Sequence, residues 1–187
     1  MIRSKAEYMY YLQADKEALK IGNKHPLLSP NSMLWLTDPI YRWERLLRKC
    51  EYWENCKPEQ IWTIYRLWIR WRFARKSLSL GLSIPINTCG PGLCILHYGS
   101  IVISRHAQIG ANCTINSCVN IGAHKGGAPI IGDSVYIGPG AKLFGLIEIS
   151  DEIKIGANAV VCTSCTEVGG TYVGVPASIV KREKEID

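Results

Sequence analysis

Ile103-Ser-Arg-His-Ala107-Gln-Ile109-Gly-Ala-Asn-Cys113-Thr-Ile115-Asn-Ser-Cys-Val119-Asn-Ile121-Gly122 decides the fold of this chain. An aliphatic residue returns at every sixth position, and a small one stands four places after it. After a gap the pattern resumes at Ile131-Gly-Asp-Ser-Val135-Tyr-Ile137-Gly-Pro-Gly-Ala141-Lys-Leu143 and runs through Ile149 to Ile155-Gly-Ala-Asn-Ala159. A period of six suits neither an amphipathic helix nor an alternating strand, so it points to a repeat architecture. Short strands joined by turns, three to a coil, would set every eighteenth residue over its predecessor. The aliphatic side chains would then fill a narrow triangular interior shared with the small residue four places on. The glycine that follows many of the aliphatics is expected to supply the permissive dihedrals of the bends. The fold class is therefore mainly β, a β-solenoid.

Outside the repeat the composition changes. Residues 1–80 hold 15 Lys and Arg against 8 Asp and Glu, a net of +7, whereas 81–187 hold 7 against 8, a net of −1. All six tryptophans also fall in the first part. This divides the chain into an N-terminal helical region (1–80), a solenoid domain (81–180) and a charged C-terminal tail (181–187), with the main join near Ser77 to Ser83. A length of 187 residues and 47% apolar content suit one ordinary core. No apolar run reaches membrane-spanning length, and Met1-Ile-Arg-Ser-Lys-Ala-Glu-Tyr8 is charged where a signal peptide is apolar, so a cytoplasmic protein is expected.

The repeat register also explains the cysteines. Cys89, Cys113 and Cys165 fall on interior positions, where a thiol acts as a small hydrophobe. Cys162 and Cys165 form a CxxC with no second pair at zinc-finger spacing, so all eight are read as reduced and structural.

In the first part, Ser4 to Ile21 is expected to form a helix, with Ser4 and Glu7 spaced as a capping box and Tyr8, Tyr11 and Leu12 on one stripe. A loop containing His25 follows; this histidine is read as a surface or packing residue. Asp38-Pro39 starts a second helix running to about Cys56, with Trp43, Leu46, Leu47 and Trp53. A third should span Pro58 to Lys76, both aromatic and cationic, with Arg66, Arg70, Arg72, Arg75 and Lys76 and no acid after Glu59. Its arginines can snorkel from a helix packed on its neighbours or on another subunit. Alternatively the helix meets an anionic membrane surface or a lipid-linked anionic substrate. No nucleic-acid motif accompanies the basic face, so no nucleic-acid partner is expected.

Between Leu82-Ser-Ile-Pro-Ile-Asn-Thr-Cys89 and the repeat proper, spacing slips. From interior Ile95 the next interior aliphatic is Ile103, eight residues on, so the coil bulges at His97-Tyr-Gly-Ser100. Bulges are where a repeat gives up regularity to aim a side chain.

Gly90-Pro-Gly-Leu-Cys-Ile-Leu-His97-Tyr-Gly-Ser, the six-residue repeats, Ile137-Gly-Pro-Gly-Ala-Lys-Leu143, Ile155-Gly-Ala-Asn-Ala159 and the closing Gly174-Val-Pro-Ala177 together resemble the hexapeptide-repeat acyltransferases. The resemblance covers about 82–182. It is nearest the serine acetyltransferases and the related O-acetyltransferases of surface-polysaccharide gene clusters, whose N-terminal helices also look like the Tyr-Tyr-Leu-Gln-Ala-Asp15 run. It implies a left-handed parallel β-helix and a homotrimer, with the N-terminal helices free to pair trimers, active sites between subunits and acetyl-CoA lying along the coils. His97 matches the catalytic histidine, the general base on the acceptor hydroxyl. The pantetheine arm would meet Gly140 and Ala141 in one coil and Gly156 and Ala157 in the next, and Lys181 would meet a phosphate.

The chain departs from the serine enzymes at three places. Leu96 stands where an aspartate precedes their catalytic histidine, Ala128 stands in place of their second histidine, and the arginine expected to meet the serine carboxylate is absent. These departures make a saccharide hydroxyl of a surface polysaccharide or its precursor the expected acceptor, with serine as the alternative. His124, in the four-residue excess between Ile121 and Ile131, is an acceptor-site candidate. His106 stands eighteen residues before it, so the two can share a face. A catalytic zinc site needs three protein ligands, and His97 has a different register, so no metal is expected.

Overall fold

The structure, a computed structural model, describes residues 1–19, 38–124 and 126–180. His25, Lys181 and the tail 181–187 lie outside them.

Among the described residues, three α-helices precede the repeat. α1 (Lys5–Ala18) starts at Ser4, whose hydroxyl accepts the Glu7 N–H at 3.1 Å. The return half of the box differs from expectation: the Glu7 carboxylate accepts from Arg3 N, not from Ser4. α2 (Pro39–Cys56) starts at Asp38, whose carboxylate accepts from Ile40 and Tyr41 N–H, with Pro39 in the first turn where no donor is needed. A 3-10 turn (Gln60–Trp62) leads into α3 (Thr63–Leu80), which runs one turn beyond the expected end at Lys76. The extra turn is anchored inside: Trp43 Nε1 donates to Ser77 Oγ at 2.8 Å, and Leu80 joins the core. Gly81, in the left-handed region at φ 68°, ends the helix.

The rest is a parallel β-solenoid of about five turns. One five-stranded face stacks β1 (Leu82–Ser83), β3 (Ile101–Ile103), β6 (Asn120–Gly122), β9 (Lys142–Phe144) and β12 (Val160–Val161). A three-stranded face stacks β4 (Gln108–Ile109), β7 (Ile130–Ile131) and β10 (Glu148–Ile149). A six-stranded face stacks β2 (Cys94–Ile95), β5 (Thr114–Ile115), β8 (Tyr136–Ile137), β11 (Lys154–Ile155), β13 (Thr171–Val173) and β14 (Ser178–Ile179). Only β13–β14 pair antiparallel, closing the last coil.

Pairing offsets record the interruptions. Ile103 pairs with Ile121, Ile131 with Ile149 and Ile137 with Ile155, each eighteen residues apart. The four extra residues of the 123–130 loop widen Ile115–Ile137 and Ile121–Leu143 to twenty-two, and the bulge widens Ile95–Ile115 to twenty. The aliphatics at every sixth place, and Ala107, Cys113, Val119, Val135, Ala141 and Ala159 four places on, are all buried in one core that continues into Ile40, Trp43 and Leu47 of α2.

The bends contradict the expectation about glycine. Left-handed dihedrals fall three places after the aliphatic, at Asn112, Cys118, Ser134, Gly140, Glu152 and Asn158. The glycine one place after it has another cause, coil-to-coil contact. A Cβ on Gly90 would lie 2.6 Å from Gly110 O, and one on Gly138 would lie 2.8 Å from Ala157 N and Ile155 O.

Candidate functional site

His97 owes its position to the two-residue bulge. Leu96 N–H still donates to Ile115 O at 3.1 Å, after which the chain leaves the ladder and rejoins the helix exit. Gly99 N–H donates to Leu80 O at 3.0 Å and Ile101 N–H to Gly81 O at 3.0 Å. Gly99, at φ 142°, takes a conformation that side chains rarely adopt. The imidazole between these anchors is exposed, as are Leu96 and Tyr98, and it makes no hydrogen bond or ion pair with any described residue.

The segment leading to His97 is held from the helical side. The upper side of the first coil has no preceding coil to pair with, and helix side chains take up several of its backbone groups. Asp15 accepts from Leu93 N–H at 3.0 Å, Glu44 from Ile95 N–H at 3.2 Å and Glu51 from Asn87 N–H at 2.8 Å. Arg48 donates to Cys89 O at 2.8 Å and Gly90 O at 2.6 Å, while pairing with Asp15 at 2.8 Å and Glu51 at 3.0 Å. Burial works against the Arg48 charge, but Glu51 and Asp15 outweigh it and hold the guanidinium above its ordinary range. Glu44 goes the other way: burial first, then Asp15, keep its carboxyl well above the usual carboxylate value. Its Oε2 is buried with no partner among the described residues.

His97 lies on the corner between the six- and five-stranded faces. Successive corners there are 96–100, 116–119, 138–141 and 156–159. The expected cofactor residues Gly140, Ala141, Gly156 and Ala157 therefore share one edge with His97, but they do not line it equally. Ala141 is in the interior, and a Cβ on Gly140 or Gly156 would meet the side chain of Asn158 or Val173, so packing already accounts for these three small residues. The register stacks Ser117, Pro139 and Ala157 instead, a low strip in which Pro139 and Ala157 are exposed and Ser117 half-buried. Beside it the buried Asn116 donates its amide to Tyr136 Oη at 3.0 Å. Sequence reasoning missed this pair, although Asn116 breaks the run of glycines after interior aliphatics.

His106 and His124 occupy a different corner, between the five- and three-stranded faces. His124 starts a tight reversal, its N–H donating to Gly127 O at 2.9 Å, and its ring meets Phe144 edge-on at 6.3 Å. Ala128 is buried and Leu96 exposed. Among the described residues no group of three His, Cys, Asp or Glu could hold a metal ion. All eight cysteines are free thiols. Burial pushes Cys89 up to about 12 and Cys113 and Cys165 up to about 11, which keeps these thiols protonated and inert.

No protein-family model matches the chain. The serine acetyltransferase of Helicobacter pylori is 38% identical over 104 residues, 54% of this chain and 60% of that one, so this chain spans about three fifths of its relative's length. The serine acetyltransferase of Neisseria gonorrhoeae in complex with serine superposes with a TM-score of 0.74 at 27% identity, covering 95% of this chain and 71% of that one. A serine acetyltransferase in complex with CoA gives 0.73 at 25% identity, covering 94% and 71%. In sequence over the repeat, and in fold over nearly its whole length, the chain is thus similar to serine acetyltransferases.

Proposed function

We propose that this protein is an acetyl-CoA-dependent O-acetyltransferase with His97 as its general base. The observation that carries the reading is the bulge at 96–100, which breaks the repeat to present one unpartnered imidazole at the head of the strip Ser117, Pro139 and Ala157. Acetyl-CoA would lie along that edge, with Gly140 and Gly156 keeping the coils close beneath it. His97 takes the proton of the acceptor hydroxyl as its oxygen attacks the thioester carbonyl. The tetrahedral intermediate then expels the CoA thiolate, which leaves as the thiol with that proton. A new C–O bond replaces the C–S bond, with no oxidation or reduction. A positioned base contributes about 10²–10⁴ in rate.

Serine is the first acceptor to consider, because the relatives are serine acetyltransferases and one neighbour holds serine. A sugar hydroxyl is the second reading, favoured by one observation: Leu96 stands beside His97 where an acid is expected for an amino-acid acceptor, and Ala128, in the loop with His124, stands where a second histidine is expected. His124 stands on another corner, so it reaches an acceptor at His97 only from a neighbouring copy, as in a trimer.

Thiol release from acetyl-CoA, followed with serine and then with nucleotide sugars, tests both readings. His97→Ala should lower turnover by about 10²–10⁴ with CoA affinity nearly unchanged. An active variant would remove the base, and release with serine alone would discard the sugar.

A further inference from the structure

α3 has two apolar faces. One, with Ile69, Phe73, Ser77 and Leu80, packs inward. The other repeats at positions 64, 67, 68, 71 and 78, helical spacing on the opposite side. There Ile64 is 83% and Leu78 82% exposed, and Leu67, Trp68 and Trp71 are exposed as well. Ordinary solvated helices do not carry tryptophans and aliphatics on their outer face.

Along the edge of this stripe runs a groove of about 540 Å³ between α1, α2 and α3. Its charged lining is Arg42, Arg45, Lys49, Arg72, Arg75 and Lys76, with no carboxylate among the described residues. Trp71 belongs to both groove and stripe. Arg72 stacks on Trp68 at 4.8 Å and Arg75 on Trp71 at 5.3 Å, so the guanidinium edges stay free to donate. Burial first and then Arg42 lower the Lys76 pKa, so the Lys76 cation gains nothing from its neighbours in the groove.

We propose that the outer face of α3 and the adjoining cationic groove seat the protein on an anionic lipid surface, with the Trp and aliphatic side chains at the headgroup boundary and lipid phosphates in the groove. Charge selects this occupant. A second copy of the same face would bring Arg72 and Arg75 against their own kind, whereas an anionic bilayer matches both the apolar stripe and its basic flank. The contact is peripheral, since no helix among the described residues is long and apolar enough to cross a membrane. The proposal does not depend on the acetyltransferase reading. It would place an enzyme of this kind beside acceptors carried on lipid.

Cosedimentation of the full chain with phosphatidylcholine vesicles, with and without about a third phosphatidylglycerol, tests it. Retention on the anionic vesicles should exceed that on phosphatidylcholine by tenfold or more, with a blue shift in tryptophan emission. Trp68→Ser with Trp71→Ser should weaken retention about tenfold, and Arg42→Glu with Arg75→Glu at least as much, with helicity unchanged. Equal retention on the two vesicles would overturn the proposal. So would full retention by the Trp68→Ser/Trp71→Ser variant accompanied by a smaller assembly in sedimentation, which would give the face to a second copy. Tight binding of free pyrophosphate that leaves vesicle retention of the charge-reversed variant intact would likewise overturn it, in favour of a soluble anion.

Discussion

The coils and the helical layer solve one problem in opposite ways. Inside the solenoid each coil's backbone groups are paired by the next coil, as in Cys94 N–H to Cys113 O, Thr114 N–H to Val135 O and Tyr136 N–H to Ile153 O. The first coil has no predecessor, and its edge is closed by polar side chains of α1 and α2: Asp15, Glu44, Arg48 and Glu51. Repeat proteins need such caps, because an unpaired end is both unstable and open to association. Stability should therefore be spread thinly along the coils and concentrated in a few groups at the cap.

The strongest way to break that contrast is Arg48→Met. It leaves Asp15 and Glu51 as buried carboxylates without their cation and leaves the Cys89 and Gly90 carbonyls unpaired. We expect a loss of about 3–5 kcal/mol, read as a fall in the denaturant midpoint. A change below 1 kcal/mol would show that the cap is dispensable. Leu143→Ala, in β9 between β6 and β12 of the five-stranded face, should cost somewhat less, about 3 kcal/mol, as the lost methylenes and the cavity between coils dictate. If it cost more than Arg48→Met, stability would be concentrated in the coils instead.

How much of this was legible beforehand follows from the same contrast. Apolar periodicity is written in consecutive residues, so the interior from Ile103 to Ala159, the bulge at His97 and the loop excess before Ile131 could all be read and placed. The cap joins Asp15 to Leu93 and Arg48 to Cys89, contacts that carry no periodicity; the run containing Asp15 resembled a family without revealing its partner. The glycine at the second place of each hexapeptide was visible, but its reason was not, because close approach between coils leaves the same mark as a left-handed turn. The edge carrying His97 was legible as a set of small residues, yet register decided that Ser117 and Pro139 face outward and Ala141 inward.

Glu44 sharpens the comparison through pH. Its folded carboxyl titrates well above the ordinary value of 4.5, so the folded state holds a proton that the unfolded chain has released. Stability should be fully retained below about 4.5 and decline as pH rises toward the folded value. Glu44→Gln keeps an acceptor for the Ile95 N–H and removes the titration. Thermal midpoints of the variant should therefore gain on the parent between pH 5 and 8. Parallel profiles would mean that Glu44 is ionised within the cap.

At the corners the expected effect is smaller. Glu152 adopts φ 61°, which costs a residue with a Cβ about 1–2 kcal/mol, partly offset in glycine by greater freedom when unfolded. Glu152→Gly should raise stability by up to about 1 kcal/mol, measurable in denaturant titration, and a loss would show that its side chain supports the corner.

The last test concerns reactivity more than stability. Cys118 and Cys162 are exposed, on different corners, whereas Cys89, Cys113 and Cys165 are buried with thiols held protonated. Iodoacetamide should therefore label Cys118 and Cys162 in the folded protein and leave those three untouched until denaturation. Cys118 adjoins Ser117 on the edge headed by His97, and Cys162 does not. CoA along that edge should slow labelling at Cys118 several-fold while Cys162 reacts at its free rate. Equal protection of both, or of neither, would place the thioester somewhere other than the strip Ser117, Pro139 and Ala157.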